Sequence, residues 1–177
     1  MSGRLLATLV FALGLVTACT APPRAPLPLA GPLDLPRFMG DWYVIAHIPT
    51  FIERKATDAV ESYRLAADGT IETTFRFREG DAAGPLREYH PRGFVVPDTG
   101  NAVWGMQFIW PIRADYRIMA LAPDYSWTLI GREARDYVWL MARQPTLAKD
   151  TYAEAMQRIQ QAGYPVEAIR QVPQSRR

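Results

Sequence analysis

The sequence predicts an all-β domain, an eight-stranded antiparallel up-and-down β-barrel with a C-terminal α-helix packed on its outside. Three observations carry that expectation. Short β-rich runs recur along the chain with turn signals between them, the pattern of a sandwich or barrel. Helical periodicity appears only after Thr146, once the strands are finished. A strand opening with Gly40-Asp41-Trp42-Tyr43 is answered about a hundred residues later by Trp139-Leu140-Met141-Ala142-Arg143-Gln144-Pro145, a strand ending in arginine just before the helix.

Met1 to Cys19 reads as a targeting segment. Arg4 gives a positive start, Leu5 to Val16 an apolar core of 12 residues, and Val16-Thr17-Ala18-Cys19 the close. A spanning helix needs roughly 20 apolar residues, so this core is too short to span and fits a cleaved signal. The residues around Cys19 resemble a bacterial lipoprotein signal, in which small residues precede a cysteine that is acylated and becomes the N-terminus. That resemblance implies residues 1–18 as signal peptide and Cys19 as the lipidation site; an ordinary signal cleaved after Ala18 is the alternative. Cys19 is the only cysteine in the chain, which excludes an intramolecular disulfide. Several acyl chains on one cysteine hold a membrane firmly where a single chain binds marginally. Thr20 follows Cys19 where Asp does not, resembling the signal for release to the outer membrane, so the expected location is lipid-anchored there, facing the periplasm.

Residues 19–34 are expected to be an acylated cysteine and a mostly mobile, proline-rich tether, with packing on the domain surface as the alternative. Five prolines between residues 20 and 34 block helix and central strand and favour extended chain. At ~3.1 Å per residue, those 15 residues could hold the domain up to roughly 45 Å from a membrane.

Residues 35–177 make one domain with enough chain for a substantial core. Trp42 to Ile48 is the first strand, ended by Pro49, and Ala59 to Ala66 the second, with Asp68-Gly69 a hairpin signal behind it. Thr70 to Arg78 alternates, with Ile71, Thr73, Phe75 and Phe77 on one face and charged or polar residues on the other. Arg87 to Val96, Ala102 to Trp110, Tyr116 to Leu121, Trp127 to Arg132 and Tyr137 to Arg143 complete the eight. Eight strands can close on themselves and remove the edges that would aggregate. Thr146 is the expected N-cap of a helix whose apolar face carries Leu147, Tyr152, Ala155, Met156 and Ile159, and Gly163 stops it. Ala168 to Val172 is a candidate final strand.

The formal net charge is +2, or +1 without Arg4, too near neutral for a nucleic-acid partner. His47 and His90 are too few and too isolated for a metal site, and no nucleophile elbow or phosphate-cradling glycine loop occurs. Ser62, His47 and Asp58 form a triad only on paper. No cofactor and no catalytic residue is therefore assigned. The sequence leaves oligomeric state open, a homodimer included.

From Leu35 to about Val172 the domain resembles the lipocalin family, most of all its bacterial outer-membrane lipoproteins and apolipoprotein D. Three stretches carry the resemblance: Gly40-Asp41-Trp42-Tyr43 with Ile48-Pro49-Thr50, then Ala122-Pro123-Asp124-Tyr125, then Val138 to Thr146. It implies that Gly40, Trp42 and Arg143 are a structural signature, with Trp42 closing one end of a cup and Arg143 laid over its indole. It also places Tyr63 and Trp139 among pocket-lining positions.

Alternation nominates the remaining interior residues: Phe75 and Phe77, then Trp104, Met106 and Phe108, then Met141 beside Trp139. Each could equally be plain core. Together they make an aromatic and methionine-rich wall suited to an apolar ligand. Glu61 shares parity with Tyr63, so it either points inward, toward a cationic or hydroxylated head group with Arg117 as a candidate partner, or lies exposed at the rim. The expected function is reversible binding of a fatty acid or lysophospholipid, for lipid storage or transport at the envelope. The rivals are a lipocalin-fold enzyme acting on a lipid-like substrate and an interaction protein whose cup is filled by its own side chains.

Overall fold

A computed structural model describes residues 24–175; the targeting segment, Cys19 and its acylation lie outside the described residues. Nine strands run in chain order around one sheet: β1 (Gly40–Ile48), β2 (Ala56–Leu65), β3 (Ile71–Glu79), β4 (Leu86–Tyr89), β5 (Arg92–Val95), β6 (Val103–Ile109), β7 (Ile112–Leu121), β8 (Trp127–Gly131) and β9 (Val138–Ala142). β9 pairs back onto β1, His47 opposite Trp139, and closes the barrel. The single strand expected over 87–96 is broken at His90-Pro91 into β4 and β5, both of which pair with β3. Pro91 has no N–H to give the ladder, so the pairing is interrupted there. Counting β4 and β5 as one stave, the barrel has eight.

Alternation is clearest on β3, where every second residue from Ile71 to Phe77 is buried. β8 is buried at all five positions because it has apolar neighbours on both sides. Inside lie Trp42, Ile71, Phe75, Phe77, Trp104, Ile118, Ile130 and Met141. Outside, Ala46, Leu129 and Leu140 pack against Ala155 and Ile159 of helix α2 (Lys149–Gln161). The helix starts later than expected, with Ala148 and not Thr146 at its cap and no side-chain capping bond. Gly163, with φ +85°, ends it. A short strand β10 (Arg170–Gln171) takes the stretch of β1 around Ala46 and His47, above the part that pairs with β2.

The expected mobile tether is the chief difference. From Ala25 to Leu33 the chain is a strap packed along the barrel. The Ala25 carbonyl accepts from Arg135, Leu27 N–H donates to Glu133, Ala30 N–H to Ile118 O at 2.8 Å and Leu33 N–H to Gly100 O at 2.9 Å. Leu27 and Leu33 are buried. Proline excludes helix and interior strand, but it does not stop an extended segment from burying two leucines. The strap leads into a one-turn helix α1 (Leu35–Phe38), capped by the Asp34 carboxylate, which accepts from Arg37 N–H.

Candidate functional site

The barrel is closed at one end. Phe38, at the end of α1, is buried against Trp42, with ring centroids 4.9 Å apart, and Trp42 Nε1–H donates to Phe38 O at 2.9 Å. The Arg143 guanidinium lies 3.8 Å from the Trp42 ring centroid and donates to the carbonyls of Asp41, Arg37 and Phe38 at 2.9–3.0 Å. One side chain therefore ties the first strand, the last strand and α1 together, and it stacks as a cation on the indole. Gly40 has φ +94°, and a Cβ there would sit 3.3 Å from Arg143 Nη1. Backbone conformation and space both call for glycine.

Above this plug a layer of aromatics fills the barrel. Trp104 meets Phe38 and Tyr63 edge-on and stacks on Tyr116 with centroids 5.4 Å apart. Above that layer a cavity of about 90 Å³ opens toward the loops that follow β1, β6 and β8. Of the sequence-nominated residues, Glu61, Phe75, Met106, Phe108 and Trp139 line it. Tyr63 is buried beneath the cavity and reaches it only through Glu61, to which its hydroxyl donates. Trp104, Phe77 and Met141 face inward but are fully buried packing: Trp104 in the floor, Phe77 against Phe75 and Tyr89, Met141 in the interior core. Phe108 keeps the inward parity of Met106 but lies at the rim, where it is half exposed.

Glu61 points into the barrel and is half buried, within reach of solvent through the cavity. The Tyr63 hydroxyl donates to its Oε2, Tyr116 approaches the same oxygen at 3.5 Å, and the two phenol oxygens are 2.5 Å apart. Burial pushes the Glu61 carboxyl up to about 7, helped by the charge of Glu53, while its hydrogen bonds to Tyr63 and Tyr116 pull the other way. Burial also drives both phenols well above their ordinary range, with the Glu61 charge adding to it. Arg117 is no partner of Glu61. It pairs with Asp115 and Glu133, each at 3.0 Å.

Two residues here, Tyr116 and Glu53, are not among the sequence-nominated ones, and a third, Thr73, is expected inside but not as an orphaned polar group. Tyr116 was readable as an inward position of its strand, in phase with Ile118. Thr73 was placed inside, but its hydroxyl is buried with no hydrogen-bond partner. Glu53 gave no signal at all. It lies in the loop after β1 and is buried, folded back over the cavity. Its carboxylate accepts from Thr50 N–H at 2.9 Å and from Trp139 Nε1–H at 3.2 Å, and His47 Nδ1 lies 3.4 Å away without hydrogen-bond alignment. Burial pushes the Glu53 carboxyl up, but His47 and Thr50 outweigh it and hold it below the usual range. This buried carboxylate thus fastens the loop to the mouth.

Around the open end, Phe51, Ile109, Trp110 and Ile112 stand 69–82% exposed. Among the described residues no group of His, Cys, Asp and Glu is arranged to hold a metal ion. Ser62, His47 and Asp58 are apart: Ser62 donates to Asp41, Asp58 accepts from Ser175 and His47 sits with Glu53.

A closed antiparallel barrel with one plugged end, an apolar cavity at the other and a single helix outside is the architecture of a small-molecule carrier. The lipocalin-like domain model matches residues 33–174, and the chain belongs to that family. It is 30% identical to temperature-induced lipocalin-1 of Arabidopsis thaliana over 156 residues, 81% of this chain and 80% of that one. It is 26% identical to the outer membrane lipoprotein Blc of Escherichia coli K12 over 153 residues, 86% of each. Bovine apolipoprotein D is 25% identical over 132 residues, 70% of this chain and 68% of that protein. The crystal structure of the cockroach allergen Per a 4 shares the fold, with a TM-score of 0.65 at 14% identity over 86% of this chain and 95% of that one. Lipocalins are in general binding and transport proteins, which accords with a non-enzyme.

Proposed function

We propose that this protein is a membrane-anchored lipocalin that takes up a hydrophobic molecule, a fatty acid or lysophospholipid, for storage or transport at the outer membrane. The observation that carries the reading is the apolar cavity above the Trp42 plug, open at one end only. Each methylene withdrawn from water contributes ~0.8 kcal/mol, so an acyl chain binds without specific polar contacts. The cavity of about 90 Å³ is smaller than the roughly 300–1,000 Å³ of drug-sized sites. A long chain therefore fills it only when the Glu53 loop lifts, or lies partly across the rim. The exposed Ile109, Trp110 and Ile112 favour work against a membrane, since tryptophan and aliphatic side chains partition to its interface. The Escherichia coli relative, by name an outer membrane lipoprotein, supports acylation of Cys19 and that location.

Delipidated protein titrated with labelled fatty acid and lysophospholipid is expected to bind both. Failure to bind either, with the fold intact, would overturn the reading. The enzyme alternative predicts a polar cluster in the cup, and Glu61 with its two tyrosines is one. Turnover lost in Glu61→Gln but kept in Trp139→Ala would favour it.

A further inference from the structure

The polar groups midway down the cup have more hydrogen-bonding capacity than the protein uses. Both tyrosines crowd onto Glu61 Oε2, and among the described residues no hydrogen bond reaches Oε1. Thr73, opposite Tyr63 across the β2–β3 pair, holds its hydroxyl buried and without a partner, on the wall of the same cavity. Buried polar groups are ordinarily paired, so an orphan beside a carboxylate marks a place for a ligand atom.

The charge of the site narrows what that atom can be. No cation among the described residues is paired with Glu61. Arg132, in the loop after β8, is bridged through Nη1 to Asp136 and keeps a buried Nε–H without a partner on the cavity wall, and Arg117 is held by Asp115 and Glu133. The other carboxylates on the cavity wall are Glu53, whose charge reaches Glu61, and Asp115, which is paired with Arg117. A carboxylate head group brought beside Glu61 would meet a like charge, with the Thr73 hydroxyl as its donor. An apolar tail there would leave Glu61 and Thr73 facing methylenes, which strands two polar groups away from water. A hydroxyl or an amine suits either group, since it can donate to Glu61 Oε1 or hydrogen-bond the Thr73 hydroxyl.

We infer that the cup selects, among apolar molecules, those carrying a hydrogen-bond-donating hydroxyl or amine, and disfavours a free carboxylate at the Glu61–Thr73 position. This rests on the carrier reading above and ranks its ligands: a fatty acid still enters on the strength of its buried methylenes, but more weakly than an alcohol or amine of the same chain length. A hydrogen bond to a charged group corresponds to about a ten- to hundredfold preference.

The test uses three probes of one chain length, dodecanol, dodecylamine and laurate. Each displaces a fluorescent apolar reporter from the delipidated protein at pH 8. Dodecanol and dodecylamine are expected to bind about tenfold or more tightly than laurate. Glu61→Gln should remove most of the amine's advantage, and Thr73→Val should reduce that of the alcohol, both with unchanged far-UV circular dichroism. Laurate binding as tightly as the other two, or ratios unmoved in both folded variants, overturns the inference. If none of the three binds, the carrier reading itself fails and takes the inference with it.

Discussion

Replacing Glu61 with glutamine should make the protein more stable at pH 8 and leave it unchanged near pH 4.5. Burial raises the folded-state pKa of Glu61 to about 7 from an ordinary 4.5. Between those values the folded protein keeps a proton that the unfolded chain has released. Stability contributed by the protonated carboxyl is thus fully present below about 4.5, is lost as pH rises to about 7, and is flat above. A gap of about 2.5 units corresponds to about 3.4 kcal/mol at 1.36 kcal/mol per unit. Solvent entering through the cavity lowers that, so about 2 kcal/mol is expected. Glutamine does not titrate, and its amide oxygen still accepts from Tyr63. In a domain of this size the gain amounts to roughly 4–8 °C in Tm. Urea midpoints for both proteins at half-unit steps from pH 4.5 to 8.5, with unchanged m, give the two curves. Their difference isolates Glu61 from every other titrating group. Curves that run parallel over the whole range would refute the argument and put Glu61 outside the barrel.

Three further outcomes follow from the same geometry. Arg143→Ala removes three carbonyl hydrogen bonds and the stack on Trp42, and should lower stability by about 2–4 kcal/mol. Arg143→Lys should recover less than half of that in denaturant unfolding, because an ammonium cannot reproduce the planar fork. Glu53→Ala frees the loop after β1 and deprives Trp139 Nε1–H of its acceptor, so stopped-flow mixing should show faster ligand entry together with a shift in tryptophan emission. The double variant Ile109→Ser, Trp110→Ser should lower binding of protein lacking the Cys19 lipid to phospholipid vesicles severalfold in sedimentation assays. Its stability should change by less than about 0.5 kcal/mol, since both side chains are exposed.

The barrel was legible because its signals are local. Alternation on β3, Asp68-Gly69 before it and the late switch to helical period each depend on a few neighbouring residues. Pro91, which has no N–H to give a ladder, carries the break between β4 and β5 in the sequence itself. The cavity was only half legible, because alternation reports which face a residue takes and not its depth along the barrel. Phe75 and Phe77 share a face, yet only Phe75 borders the cavity, and Met106 and Phe108 share one too, yet Met106 is buried while Phe108 is half exposed at the rim. Glu53 could not be found at all. Its burial depends on His47, Thr50 and Trp139 arriving from two strands and a loop. The strap was misread for a related reason: a proline-rich composition describes what a segment cannot become, while its docking was decided by where Leu27 and Leu33 found apolar neighbours.

Only six peptide steps separate Cys19 from Ala25, at most about 20 Å of extended chain. Ala25 is held by Arg135 in the loop after β8, and the bare side chains of Ile109 and Trp110 crown the same end. With Cys19 acylated as proposed, the barrel faces the bilayer mouth-down, and the Trp42 plug points into the periplasm. A molecule leaving the cup then meets lipid before bulk water. The strap would thus act as a rudder, setting which way the barrel points as well as how far it can stray.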